Sequence, residues 1–229
     1  EVATRSPMIE TLQHGSSYAA DIDGLIILVA VLTGFWFFVA QGVFFWLIFR
    51  YRAKPGKKSK YVTGREQHLT RWISFPHGLV LVCDVFIIVA SVNVWYDVKQ
   101  RLPEADRVVR ITGQQWAWTF QHPGSDGDLD TDDDVYVVDE LHVEVDKTYH
   151  FHLEARDVMH SFSVPVFRLK QDAIPGRSIM GWFRPTLVGE FDVQCAEICG
   201  IGHGVMAARI FITDEAQHAA WVTQNTPNR

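Results

Sequence analysis

The chain has 229 residues, of which 48% are hydrophobic and 21% charged, with three cysteines and a formal net charge of −6. That length suits one ordinary domain plus a smaller module. Three cysteines exclude a disulfide scaffold, and the acidic balance argues against nucleic acid and suits a cationic partner better.

The first residue is Glu1 rather than Met, which suggests a processed N-terminus. Gly24 to Phe49 then runs without a single charge, as GLIILVAVLTGFWFFVAQGVFFWLIF. About 20 apolar residues cross a bilayer core as a helix. Here apolar side chains lie all round the helix, unlike the one-sided face of a soluble one. A second span is predicted over Ile73 to Tyr96, although it contains Pro76, His77, Asp84 and Asn93. Proline is tolerated near a helix start. Asp84 is costly in hydrocarbon and must face protein or water. Cys83 reads as a small apolar filler.

The connection from Arg50 to Arg71 carries Arg50, Arg52, Lys54, Lys57, Lys58, Lys60, Arg65 and Arg71 against one acid, Glu66. Such a basic loop stays on the cytoplasmic side. Both the N-terminus and everything after Tyr96 then fall outside. The chain reads as an N-terminal segment with a transmembrane helical hairpin over residues 1–103, followed by an external domain over residues 104–229.

In that domain the hydrophobic period changes to two. Leu141 to Asp146 and Tyr149 to Leu153 alternate, and Val108 to Thr112, Trp116 to Phe120, Ile179 to Phe183, Gly189 to Gln194 and Ala208 to Thr213 suit short strands. Many short strands with Gly and Pro turns imply a sandwich or a Greek-key barrel. Ser125 to Asp134 is an acid-rich loop. Asp214 onward reads as a terminal helix with Thr213 as candidate N-cap.

The strongest signal is Cys195-Ala196-Glu197-Ile198-Cys199-Gly200-Ile201-Gly202-His203-Gly204-Val205-Met206, a C-x3-C-x3-H-x2-M cluster, with His160 upstream. Thiolate, thioether and imidazole ligands together select copper. A blue-copper centre uses one Cys, two His and a weak Met, and this set has one Cys more. Two thiolates on one loop can bridge two copper ions, each then taking one His and one weaker ligand. An electron shared over two coppers and two sulfurs changes each bond less, and a rigid β-scaffold limits the movement further. The chemistry implied is rapid one-electron transfer. A Cys195–Cys199 disulfide or a structural zinc site would use some of these residues, but neither explains Met206 or the glycines after Cys199.

Over nearly its whole length the chain resembles cytochrome c oxidase subunit II. The resemblance rests on the two-helix anchor, the β-domain and three ordered motifs: Asp157-Val158-Met159-His160-Ser161-Phe162-Ser163-Val164-Pro165, Leu169-Lys170-Gln171-Asp172-Ala173-Ile174-Pro175-Gly176-Arg177, and the Cys195 to Met206 cluster. It implies a cupredoxin-like Greek-key barrel carrying the dinuclear centre called CuA. The implied ligands are His160, Cys195, Cys199, His203, Met206 and the backbone carbonyl of Glu197. The Glu197 side chain would reach a magnesium ion at the boundary with subunit I, where Asp172 and Arg177 would also lie. Gly113 to Trp118 resembles the family's aromatic segment, making Trp116 the entry point for electrons from cytochrome c or an equivalent donor. The residue after that Trp is usually aromatic and here is Ala117. The family commonly has a glutamate, at the mouth of a proton path, where this chain has Leu69; Glu66 and His68 are offset.

The resemblance further implies oxidase subunit I and other oxidase subunits as partners, electron transfer to haem in subunit I, oxygen reduction there, and a bacterial plasma membrane. A supercomplex with a quinol-oxidising complex is compatible with it. The sequence has no C-x-x-C-H, so a fused c-type haem is not expected. Asp126, Asp128, Asp130, Asp132, Asp133 and Asp134 could steer a basic cytochrome or form a solvated loop, with Glu104, Asp106, Asp139 and Glu140 as further candidates. Alternatives are the CuA subunit of a nitric oxide reductase, a copper-free structural subunit of a quinol oxidase, and an anchored copper-delivery protein.

Overall fold

The computed structural model of the chain describes residues 13–58 and 61–227. Glu1 and Lys60 lie outside the described residues. Two compact units emerge, one of residues 21–96 and one of residues 97–229 together with the segment ending at Ala20.

The first unit is built on α1 (Ala19–Tyr51) and α2 (Gln67–Trp95), and α2 continues into a π-helical turn, Tyr96–Gln100. Both helices start earlier than the apolar stretches predicted. Apolar content marks the part that suits hydrocarbon, whereas helical hydrogen bonding extends into polar residues such as Asp21, which favours the positive end of the α1 dipole. Pro76 lies well inside α2 rather than near its start. Both helices are long and apolar enough to cross a membrane, and none of that apolar surface is buried within the chain. Phe38 and Phe86, for example, are exposed. Cys83 does more than fill space, since the Trp36 indole donates to its sulfur across the hairpin at 3.3 Å. Leu69 sits in the first turn of α2. Glu66 is the α2 N-cap residue, and its carboxylate accepts from the Thr63 N–H and hydroxyl at 3.2 and 3.0 Å.

The second unit is a sandwich of two five-stranded sheets. Its strands are β1 (Arg107–Gln114), β2 (Ala117–His122), β3 (Val135–Val138), β4 (Glu140–Glu144), β5 (Tyr149–Ala155), β6 (His160–Val164), β7 (Leu169–Ala173), β8 (Ile179–Phe183), β9 (Gly189–Cys195) and β10 (Ala207–Thr213). One sheet has the order β3-β2-β1-β5-β8 and the other β4-β10-β9-β6-β7. The β1–β5 and β10–β4 pairs are parallel, and all the others are antiparallel. Alternating residues of both sheets meet in a core that includes Trp118, Phe120, Phe151, Phe162, Phe183 and Phe191. Strand β5 shows the period directly, with Tyr149, Phe151, Leu153 and Ala155 buried and the residues between them part-exposed. Phe162 makes edge contacts with Trp118 and Phe120 at 5.5 and 6.2 Å, stitching the two sheets together.

Ahead of α1, the segment at Gly15 straps onto this sandwich. The Gly15 N–H donates to the Val166 carbonyl, the Thr186 N–H to the Gly15 carbonyl, and the Ser16 hydroxyl to the Phe167 carbonyl, each at 2.8 Å.

Two predicted boundaries move. Trp116 is not in a strand but in the two-residue turn Gln115–Trp116, because Gln114 pairs with Ala117 and closes the hairpin there. Thr213 is the last residue of β10, and the cap of α3 (Glu215–Asn225) is Asp214, whose carboxylate accepts from the Gln217 N–H at 2.8 Å. Strands β3, β6 and β7 lie outside the predicted set.

Candidate metal centre

Strands β6, β9 and β10 are neighbours in one sheet, and their pairing carries three segments to one end of it. Phe162 pairs with Cys195, the Ala196 N–H donates to the Ser161 carbonyl at 2.9 Å, and the Cys195 N–H donates to the Met206 carbonyl at 3.2 Å. Cys195 at the end of β9 is thereby held between His160 at the start of β6 and Met206 just before β10. The loop between Cys195 and Met206 folds back on itself through His203 N–H to Gly200 carbonyl and Val205 N–H to Gly202 carbonyl bonds, both 3.1 Å. The second motif arrives by the same sheet, because His160 pairs with Ala173 and Ser161 with Asp172. Arg177 follows in the exposed turn after β7.

The outcome is a compact set of soft donors. The Cys195 and Cys199 sulfurs are 3.8 Å apart, far beyond the roughly 2.05 Å of a disulfide, and both thiols are free. His160 Nδ1 lies 3.9 Å from the Cys195 sulfur, and the Glu197 carbonyl oxygen lies 3.3 Å from it. His203 Nδ1 and the Met206 sulfur each lie 3.7 Å from the Cys199 sulfur. Two donors bound to one ion at about 2.0 to 2.3 Å in tetrahedral geometry sit about 3.3 to 3.8 Å apart. The spacings therefore fit edges of a metal polyhedron better than hydrogen bonds. Each sulfur has one imidazole and one weaker donor beside it. His160, Cys195 and Cys199 are buried, with their ligand atoms all within 4.8 Å of one another. Burial, and then the Cys195 thiol beside it, push the Cys199 thiol up to about 11. A metal cation between the sulfurs reverses that cost, since a coordinating thiol loses its proton outright.

The surroundings hold these donors in place. Asp157 Oδ1 is 2.8 Å from His160 Nε2, which leaves Nδ1 turned toward Cys195. The His160 ring lies edge-on to Trp118 at 6.0 Å and against Gly113, where a Cβ would come within 3.1 Å of it. Trp116 is 39% exposed, and its indole N–H donates to the Cys199 carbonyl at 3.3 Å. It therefore reaches from solvent to the backbone of a candidate ligand. Ile198, Ile201 and Val205 form an exposed apolar rim around the loop. Asp157 and Gln115 lie within the sequence motifs, but their roles emerge only from the fold. A carboxylate three residues before the histidine was the available signal.

The acid-rich loop has a different character. Arg110 pairs with Asp130 through both carboxylate oxygens, and this bond, followed by Gln121, holds the Asp130 carboxyl down at about 2. Asp134 is buried and accepts from the Gln121 amide and the Asp130 N–H. Asp133 accepts from the Ser125 N–H at 2.7 Å. Elsewhere Asp106 accepts from the Thr148 N–H, Asp139 from the Trp118 N–H, and Glu140 lies 3.2 Å from His142 Nε2.

Residues 107–213 match the family model for the cytochrome c oxidase subunit II periplasmic domain. The alternative cytochrome c oxidase subunit 2 of Bradyrhizobium diazoefficiens is 32% identical over 225 residues, covering 89% of this chain and 79% of that protein. The cytochrome c oxidase subunit 2 of Cereibacter sphaeroides is 29% identical over 234 residues, covering 89% of this chain and 74% of its own. Among solved structures, the periplasmic domain of subunit II of the Bradyrhizobium japonicum cytochrome oxidase aligns with a TM-score of 0.49 at 29% identity, covering 55% of this chain and 96% of that one. With the family model on the β-sandwich and a relative matched along most of both chains, the protein belongs to the cytochrome c oxidase subunit 2 family.

Proposed function

We propose that the chain is the electron-entry subunit of a cytochrome c oxidase and holds a dinuclear copper centre of the CuA type. His160, Cys195, Cys199, His203, Met206 and the Glu197 carbonyl are its ligands in this reading. The observation that carries it is the paired sulfurs, each with one imidazole and one weaker donor within 3.3 to 3.9 Å. Bound copper supplies a one-electron acceptor whose charge change is spread over two metals and two thiolates.

The residues of the chain do the rest. β6, β9 and β10 keep the donors from rearranging as charge changes, which lowers the cost of each transfer. Trp118 and Gly113 pack the imidazole of His160, and Asp157 fixes its orientation. Trp116 brings the electron from a donor docked at the surface, cytochrome c or an equivalent. The onward acceptor is haem in subunit I, where oxygen is reduced to water. The half-buried Glu197 side chain would contribute one carboxylate to a magnesium ion at the boundary with subunit I. A single protein carboxylate suits an ion that keeps several waters. Asp172 and Arg177 lie on that boundary. The basic loop between α1 and α2 faces the cytoplasm, which puts the β-sandwich outside.

The test is to load the full chain with copper in detergent and measure metal content and the electron paramagnetic resonance spectrum. Two coppers per chain, with one unpaired electron coupled equally to both nuclei, are expected. Cys199→Ser removes one of the two sulfurs that would hold both ions, and single-nucleus hyperfine structure should replace the shared pattern. One copper in the unaltered chain would overturn the dinuclear reading.

A further inference from the structure

Gln115 links both halves of the candidate ligand set, bonding to Cys199 directly and to His160 through Asp157. Its backbone N–H donates to Asp157 Oδ2 at 2.7 Å, and the other oxygen of that carboxylate is 2.8 Å from His160 Nε2. Its side-chain amide donates to the Cys199 carbonyl at 2.8 Å, the oxygen that also accepts from the Trp116 indole at 3.3 Å. A carbonyl has two lone pairs, and these two donors take both. The β1–β2 turn is thus tied at one end to the histidine from β6 and at the other to the cysteine loop.

The glycines after Cys199 make the tie possible. A Cβ on Gly200 would lie 2.9 Å from the Gln115 amide nitrogen and 3.3 Å from the Trp116 indole nitrogen. Gly200 also has φ +122°, a conformation side chains disfavour. A Cβ on Gly202 would lie 2.4 Å from the Trp116 ring. The turn and the loop therefore interlock with no room for a side chain at either position, and the amide of Gln115 supplies the shorter of the two polar bonds.

We infer that Gln115 is a positioning residue for electron entry, which holds the Trp116 ring against the Cys199 carbonyl. This rests on the reading of Trp116 as the entry point to a copper centre. A transferring electron must tunnel from ring to ligand, and tunnelling falls off exponentially with the gap. A ring held by one long bond wanders more than one whose turn is pinned beside it. Gln115→Met keeps the length and approximate volume of the side chain and deletes the amide, and with it the bond to the Cys199 carbonyl. The backbone N–H to Asp157 remains.

The test uses the full copper-loaded chain in detergent and two reductants in stopped flow: reduced cytochrome c, which must use the entry site, and dithionite, which is small enough to approach from any side. Gln115→Met should keep two coppers and the wild-type dithionite rate, while reduction by cytochrome c slows roughly tenfold, as expected when geometry controls a rate. Trp116→Phe should show the same split. The double variant should be no slower than Trp116→Phe alone, because Gln115 acts through that ring. A wild-type cytochrome c rate in Gln115→Met overturns the inference. So do effects that multiply in the double variant, or equal slowing with both reductants. Wild-type protein without two coppers sharing one electron would instead sink the dinuclear reading itself.

Discussion

Asp157 shows how one side chain can set the chemistry of another. It accepts from the Gln115 and Val158 N–H groups, both at 2.7 Å, so its carboxylate is fixed before it meets His160. These bonds and the imidazole hold its carboxyl below the ordinary value against the opposing effect of burial. An imidazole bonded through Nε2 presents Nδ1 to a metal in one orientation only. Asp157→Ala should therefore weaken copper binding by about 10- to 100-fold, read by competition with a chelator, the usual cost of losing a carboxylate behind a ligating histidine. His160 itself was legible as a candidate from its motif. Asp157 was not separable from any turn-forming Asp until the fold placed it 2.8 Å from the ring.

At the scale of the element, α3 is held by an aromatic–imidazole stack rather than an apolar stripe. Trp221 lies flat on His142 of β4 at 4.2 Å, and His142 lies on Phe211 of β10 at 4.7 Å. His122 of β2 meets Trp221 edge-on at 5.0 Å, and His218 of α3 closes the group. His122 is 3% exposed, its Nε2 has no hydrogen-bond partner among the described residues, and burial, then His142 and His218, bring it down to about 3. Burial lowers His142 and His218 as well. Glu144 offers His122 little relief, because Arg107 already pairs with it at 3.3 Å. The folded chain thus keeps His122 neutral, whereas the unfolded chain protonates it near 6.5. Below that value the unfolded state binds the extra proton, so stability falls as pH drops toward 3. From pH 7 to 5 this one group costs about 2 kcal/mol. Thermal midpoints of the full chain over that range should fall, and His122→Phe should flatten the curve. An unchanged slope in the variant would assign the effect elsewhere. From sequence, α3 was visible through its polar start, but its docking partners were not.

Across the whole β-sandwich, distance separates charge from the loop of candidate ligands. Trp116 sits at one end of β2, while the acid-rich loop begins just after its other end at His122. Six extended residues span about 20 Å, roughly two screening lengths at physiological salt. Four of the six loop acids, Asp126, Asp130, Asp133 and Asp134, are occupied by Arg110, Gln121 and backbone N–H groups. The surface around the candidate ligands is instead the apolar rim of Ile198, Ile201 and Val205. Replacing Asp126, Asp128 and Asp132 with Asn should therefore change the rate of reduction by cytochrome c at physiological salt by less than about twofold. A tenfold fall would return the loop to the role of a steering patch.

By itself the sequence determined which segments suit hydrocarbon and which residues are candidate soft ligands. Unbroken apolar runs and a basic loop mark two helices built for hydrocarbon, because the cost of burying charge there is local and additive. Alternating polarity marked most strands, and the Cys-His-Met spacing marked the candidate donor set, because ligand softness belongs to residue type. Only the tertiary structure decided what lies behind those donors. That Gln115, Asp157 and Gly200 meet around His160 and Cys199 depends on which strands pair and where a hairpin closes. Strand pairing is set by the packing of two sheet faces against each other, a property that no single stretch of the chain contains.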